Sequence, residues 1–362
     1  MLHDDDLDAA VGAAIVTQAQ ADALREFAVK RRSTGVAEHA DEENFRFVRG
    51  FNDIFFTIGV VLFGIGVSIF AAVQGGPLVY GVAAIIMWGL AELLVRRMRL
   101  VLPGIAILVF FAMFAVSVIP IAYLPTGVAE GISIDQWRAN PSLIGGLLLS
   151  GTPLQMAIKA VIGALAAAGF YARFRFPFAL LVIAGGAVIA VEFAVGALVG
   201  ATSIPRAALL LVCGAVVFAF AMWFDLSDRL RVTRRSDGAF WLHVLAAPLL
   251  VHSLIGLAAG SSFQPGNGVM VTIVVIAILL TMVALIIDRR ALLVSALVYV
   301  GGVIAVALSK AIVNPTLTLI ATLIVLGVLV LTLGVGWAAL RRRILSLFPL
   351  QLVDRLPPVV PA

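Results

Sequence analysis

SDGAFWLHVLAAPLLVHSL, residues 236–254, decides how this chain is read. It follows the basic cluster RLRVTRR (229–235) and carries His243, Pro248 and His252 in an otherwise apolar run. A helix needs about 20 apolar residues to cross a hydrocarbon core about 30 Å thick. The run over 238–260 is that long, and arginines fence one of its ends only. That is the pattern of a membrane span with its charged anchor on the cytoplasmic side.

Working outward, nine further runs of the same kind appear, at 53–74, 77–95, 101–124, 153–172, 177–199, 204–224, 268–287, 291–310 and 316–339. They are continuously apolar rather than alternating, which excludes barrel strands. Composition agrees: 62% of the 362 residues are apolar and 12% charged, with a mean hydropathy of +1.12. A soluble domain is roughly half apolar and a quarter charged, so this chain would have no polar surface to offer water. The expected fold is an all-α polytopic bundle of ten spans in contact with the lipid bilayer.

Charge tests the span count. With both termini cytoplasmic, only Arg138, Lys159, Arg206 and Lys310 of the 25 basic residues fall on the outer half, leaving 21 inside. Every second connection then carries the basic cluster, as orientation by positive charge requires. The same placement removes the nucleic-acid reading that a pI of 9.9 invites. The outer connections, such as QGGP (74–77) and GATSIP (200–205), are small turn residues. The longest, 125–152, contains SLIGGLLLS (142–150), too short to span and read either as a re-entrant piece or as a loop resting on the bundle. The one cysteine, Cys213, allows neither a disulfide framework nor a CxxC metal site. No cofactor or metal is expected.

Three regions follow: a cytoplasmic arm and linker (1–51), the transmembrane bundle (52–340) and a cytoplasmic tail (341–362). The N-terminus lacks the basic and apolar regions of a cleaved signal, so the spans themselves are expected to direct insertion. Residues 5–13 suggest a short helix. Thr17 and Gln20 fit a reciprocal capping box ahead of a helix over 18–32, with Ala21, Leu24, Phe27 and Ala28 on one stripe. The polar linker 33–44 follows. The arm reads either as a docking or self-associating element or as a helix lying on the bundle or membrane.

GAAIVTQAQADALREF (12–27), a linker and then FFTIGVVLFGIGVSIFAA (55–72) resemble a group of uncharacterised bacterial multi-pass membrane proteins. In that group a short helical hairpin precedes a glycine-rich first span. The resemblance covers the first fifth of the chain and implies a bacterial cytoplasmic membrane and no particular chemistry. Within the chain, RGFNDIFFTIGVVLF (49–63) resembles TRRSDGAFWLHVLAA (233–247), and their following basic turns also correspond. A duplication of spans one to four as spans seven to ten would explain this. So would the shared topology of basic turns.

Ionisable groups inside hydrocarbon are costly and are functional candidates for that reason. Lys159, Glu192 and His252 lie about 9, 10 and 12 Å inside the outer ends of spans four, five and seven, at 1.5 Å per residue. They form the candidate substrate or proton pathway. Spans four and five, joined by a short turn, are expected to be antiparallel neighbours with Lys159 and Glu192 as an ion pair, serving as structural glue or in coupling. Glu92, within reach of Arg96 at i+4, and His243, near the cytoplasmic interface, are secondary candidates. His243 and His252 point to opposite faces at 100° per residue, and Pro248 is expected to bend the span and turn His252 toward the bundle. Asp225, Asp228 and Asp288, close to span ends beside arginines, read as caps or interfacial pairs. Phosphate-loop, nucleophile-elbow and HExxH motifs are absent from the sequence, and no enzyme is expected. The function expected is transport, proton-coupled or of a poorly polar substrate; the alternative is a scaffold or sensor that binds a partner through the arm.

Overall fold

A computed structural model describes residues 51–74, 77–118, 151–199, 205–228, 233–259 and 267–349, with Leu356 and parts of the arm between 7 and 27. The linker 33–44 and the SLIGGLLLS segment lie outside the described residues, as does most of the helix expected at 5–13. In the arm, the Thr17 hydroxyl accepts from Gln20 N at 3.3 Å and Thr17 N donates to Gln20 Oε1 at 2.9 Å, completing the capping box. Ala21 is buried, whereas Leu24 and Phe27 are exposed.

Ten helices follow. They are α1 (Phe51–Gln74), α2 (Pro77–Leu90), α3 (Leu102–Val118), α4 (Pro153–Phe174) and α5 (Phe178–Val199). Then come α6 (Arg206–Ser227), α7 (Arg234–Ala259), α8 (Asn267–Ile287), α9 (Ala291–Ser309) and α10 (Pro315–Leu345). The end of α2 widens into a π-helical turn over Ala91–Arg97. Among the described residues there is no strand, and nine helices are long and apolar enough to cross a membrane. The remaining one, α3, has 17 described residues. The chain is a multi-pass membrane protein with an all-α bundle.

Local chemistry sets several helix starts. Thr152 caps α4 reciprocally with Gln155, and Pro153 occupies the first turn, where its missing N–H costs nothing. Asn314 caps α10 by accepting from Thr316 N and Leu317 N, again ahead of a proline. Three tight reversals, after α2, α4 and α8, place Arg99, Arg175 and Asp288 in the left-handed region at φ 56°, 51° and 57°. After α8, Arg289 N bonds back to Ala284 O at 2.9 Å, the longer bond of a Schellman turn.

The helices pack as two groups. In the first, α3 packs against α1, α2 and α4; in the second, α9 packs against α7, α8 and α10. The tightest pairs are α4 with α5 and α6 with α7. Close approach of α4 and α5 depends on small residues: a Cβ on Gly186 would meet the Ala160 carbonyl and Ala164 Cβ, both at 3.0 Å. Between α6 and α7, a Cβ on Gly214 would meet Leu249 Cβ at 3.0 Å. The basic turns share one layer: Glu92 of α2 pairs with Arg173 of α4, and Phe178 at the start of α5 packs on Trp241 near the start of α7.

Candidate functional site

A buried polar cluster lies in that basic layer. α6 presents one stripe to its neighbours, Leu210, Gly214, Val217, Ala221 and Asp225, all buried. Spacings of three and four residues keep these on one face, so the stripe that packs the helix also carries a carboxylate inward at its last turn. α7 answers with Ser236, Ala239, His243, Ala246 and Ala247, all buried. The third contributor comes from the α8–α9 turn. Asp288, in the left-handed conformation, reverses the chain, and Arg289 is 2% exposed. Aspartate tolerates that conformation better than most residues.

The three elements meet at the Asp225 carboxylate. His243 Nε2 lies 2.8 Å from Asp225 Oδ2. Arg289 Nε donates to the same oxygen at 3.1 Å, and Arg289 Nη2 donates to Oδ1. A carboxylate only accepts, so His243 carries its proton on Nε2 in this pair. One carboxylate thus faces one guanidinium and one imidazole. Arg289 Nη2 also reaches the Ser236 carbonyl at 3.4 Å and its Oγ at 3.3 Å. Phe218 packs edge-on against the His243 ring, 5.4 Å between centroids.

Two supporting arrangements flank the cluster. Asp228 accepts from Thr233 N at 2.8 Å and Thr233 Oγ1 at 2.6 Å, closing the connection between α6 and α7. Asp288 accepts from Trp337 Nε1 at 2.9 Å, and Arg341 Nε donates to the Leu285 carbonyl at 3.2 Å, which anchors α10. Arg290 lies over the Trp337 ring at 5.4 Å.

The expected outer layer is arranged differently. Glu192 pairs with Arg206, at the start of α6 across a short connection, and not with Lys159. The reason is helical phase. Gly163, one turn from Lys159 on the same face of α4, turns toward Val116 of α3. Gly185, on the Glu192 face of α5, turns toward Leu245 of α7. Spans four and five are close neighbours as expected, but the two side chains leave their interface in different directions. Lys159 is buried.

His252 bonds through Nδ1 to the Tyr299 hydroxyl of α9, on an exposed edge of the bundle. Helix α7 runs without a break through Pro248, and His252 is not turned into the interior. Lys159, Glu192 and His252 therefore do not meet.

The secondary candidates also separate. Glu92 accepts from Arg96 Nη1 at 3.1 Å, as its spacing predicts, and from Arg173 Nε at 2.7 Å, tying α2 to α4 at an exposed position. His243 is fully buried, because its face of α7 is the one turned to α6. Its opposition to His252 stands: one is buried and one exposed. Among the described residues, no three His, Cys, Asp or Glu side chains gather as a metal site. No protein-family model, curated protein or solved structure matches this chain.

Proposed function

We propose that the protein is transporter-like and that Asp225, His243 and Arg289 form a polar lock closing its basic end. In this reading the membrane is the bacterial cytoplasmic membrane, both termini are inside, and the lock faces the cytoplasm. The observation that carries it is the convergence of α6, α7 and the α8–α9 turn on one buried carboxylate. A buried ion pair is a poor source of stability, since desolvation offsets most of its attraction. Ionisable groups within spans more often mark a pathway or a moving contact. In the first group of helices Trp88, Phe111, Phe170, Phe174 and Phe176 pack ring on ring, and its Glu92–Arg173 pair is exposed rather than buried. The Asp225 contact is made of bonds that water can replace, as a closure that opens requires. Lys159, buried on α4, stays a candidate for the substrate or proton path; Glu192 and His252 are assigned to local pairs.

The test is proteoliposomes holding an internal pH dye, challenged with poorly polar weak acids and bases. At least one solute should drive proton flux. An Asp225→Leu/Arg289→Met variant, which removes both charges together, should fold and lose it. Unchanged flux in that variant, or no flux with any solute, sinks the reading. A scaffold reading has its own support in the exposed Leu24 and Phe27 on the capped arm helix. It predicts a bundle that moves no solute and an arm whose Leu24→Ser/Phe27→Ser variant loses a partner.

A further inference from the structure

We infer that Asp225 is a proton-binding site at which a proton and the Arg289 guanidinium are alternative partners, so that protonation opens the basic end. The inference rests on the lock reading above. In the closed arrangement the Asp225 charge is balanced by Arg289, and His243 holds its Nε2 2.8 Å from the same carboxylate. Arg289 is the partner placed to leave: it stands in the short turn between α8 and α9, while Asp225 and His243 are fixed within helices. When the turn swings outward, Arg289 gains water and Asp225 is left as a buried carboxylate without its guanidinium. Such a charge is expensive. A proton from the cytoplasmic water neutralises it, forming one O–H bond. A protonated Asp225 in turn no longer attracts the guanidinium. Proton binding and Arg289 withdrawal therefore favour each other, and by linkage acidity favours the open form.

The other charged groups around the cluster are already engaged or distant. On α6, Asp228 binds Thr233. In the α8–α9 turn, Asp288 holds Trp337 and lies 3.9 Å from Arg341 of α10, while Arg290 lies over Trp337. On α7, Arg234, Arg235 and Asp237 are exposed. Helix α5 packs against α7, and its acid, Glu192, is at the opposite end with Arg206. Asp225 is the carboxylate that Arg289 grips with two donors.

The experiment uses the full chain in lipid nanodiscs with Cys213→Ser and spin labels at Leu226→Cys on α6 and Val294→Cys on α9, both exposed positions. The distance distribution is read from about pH 8 to about pH 5. The longer-distance population should rise on acidification, by up to about tenfold per pH unit, the limit for one linked proton. Asp225→Asn should populate the longer distance at every pH. The Asp225→Asn/Arg289→Gln variant, which leaves no charge in the site, guards against misfolding and should be folded and insensitive to pH. His243→Gln retains an amide donor and should keep the wild-type response. A wild-type distribution that ignores pH overturns the inference, as does a response that survives in Asp225→Asn or disappears in His243→Gln. Solute flux is not read here: distances that follow pH in a protein that moves no solute support the proton site and reject transport alone.

Discussion

At the residue scale, Asp225 is held by three donors from two elements, and removing it strands a buried guanidinium. Asp225→Ala should therefore cost about 3–5 kcal/mol, the usual penalty for breaking half of a buried pair. Removing both charges in Asp225→Leu/Arg289→Met should be near neutral, within about 1 kcal/mol of wild type or better. Unfolding in mixed micelles would measure both, and equal losses in the two variants would contradict the cluster geometry. The charged cluster was only half legible in the sequence. Asp225 and Asp288 lie near span ends beside arginines, so depth along the chain ranks them as caps. Burial is decided by phase instead, and the phase was readable: Leu210, Gly214, Val217 and Ala221 precede Asp225 at helical spacing on the packed face. The inward turn of Arg289 was not readable, because it depends on the left-handed conformation of Asp288, which no periodicity encodes.

At the element scale, the positions of the helices were legible because span length is dictated by membrane thickness, and each of the ten apolar runs overlaps a helix among the described residues. The faces were harder. Lys159 and Glu192 sit on adjoining helices, yet the contact between those helices is made by Ala160, Ala164 and Gly186. A step of one residue is 100° of helix, enough to turn an expected ion pair outward. Gly186→Val should cost about 1–3 kcal/mol by overpacking that contact. Gly196, which has nothing within 4 Å of a built Cβ, provides the contrast. Gly196→Ala should be neutral or stabilise by up to about 1 kcal/mol through reduced chain entropy. Loss of the α4 cap in Thr152→Ala should cost about 1 kcal/mol. Thermal unfolding of the three variants in one detergent would rank them; a Gly186→Val protein as stable as Gly196→Ala would refute the close packing.

At the scale of the whole molecule, the two groups share a packing order in which the third helix contacts the other three. The sequence trace of an internal duplication is little more than corresponding basic turns. Sidedness is checked by thiol labelling in a Cys213→Ser background, at Leu347→Cys past α10 and Val313→Cys before it, both well exposed. The first should react with an impermeant reagent only from the cytoplasmic side and the second only from outside; the reverse result would invert the topology. The left-handed turns at Arg99 and Arg175 bear on how the chain enters the membrane at all. Glycine would relieve about 1–2 kcal/mol at each position, yet arginine is present. At these reversals conformational ease and the retention of positive charge pull in opposite directions. Arg99→Gly/Arg175→Gly should thus give a mature protein that unfolds less readily but a nascent chain that inserts with mixed orientation, measurable as a protease-accessible fraction during cell-free synthesis.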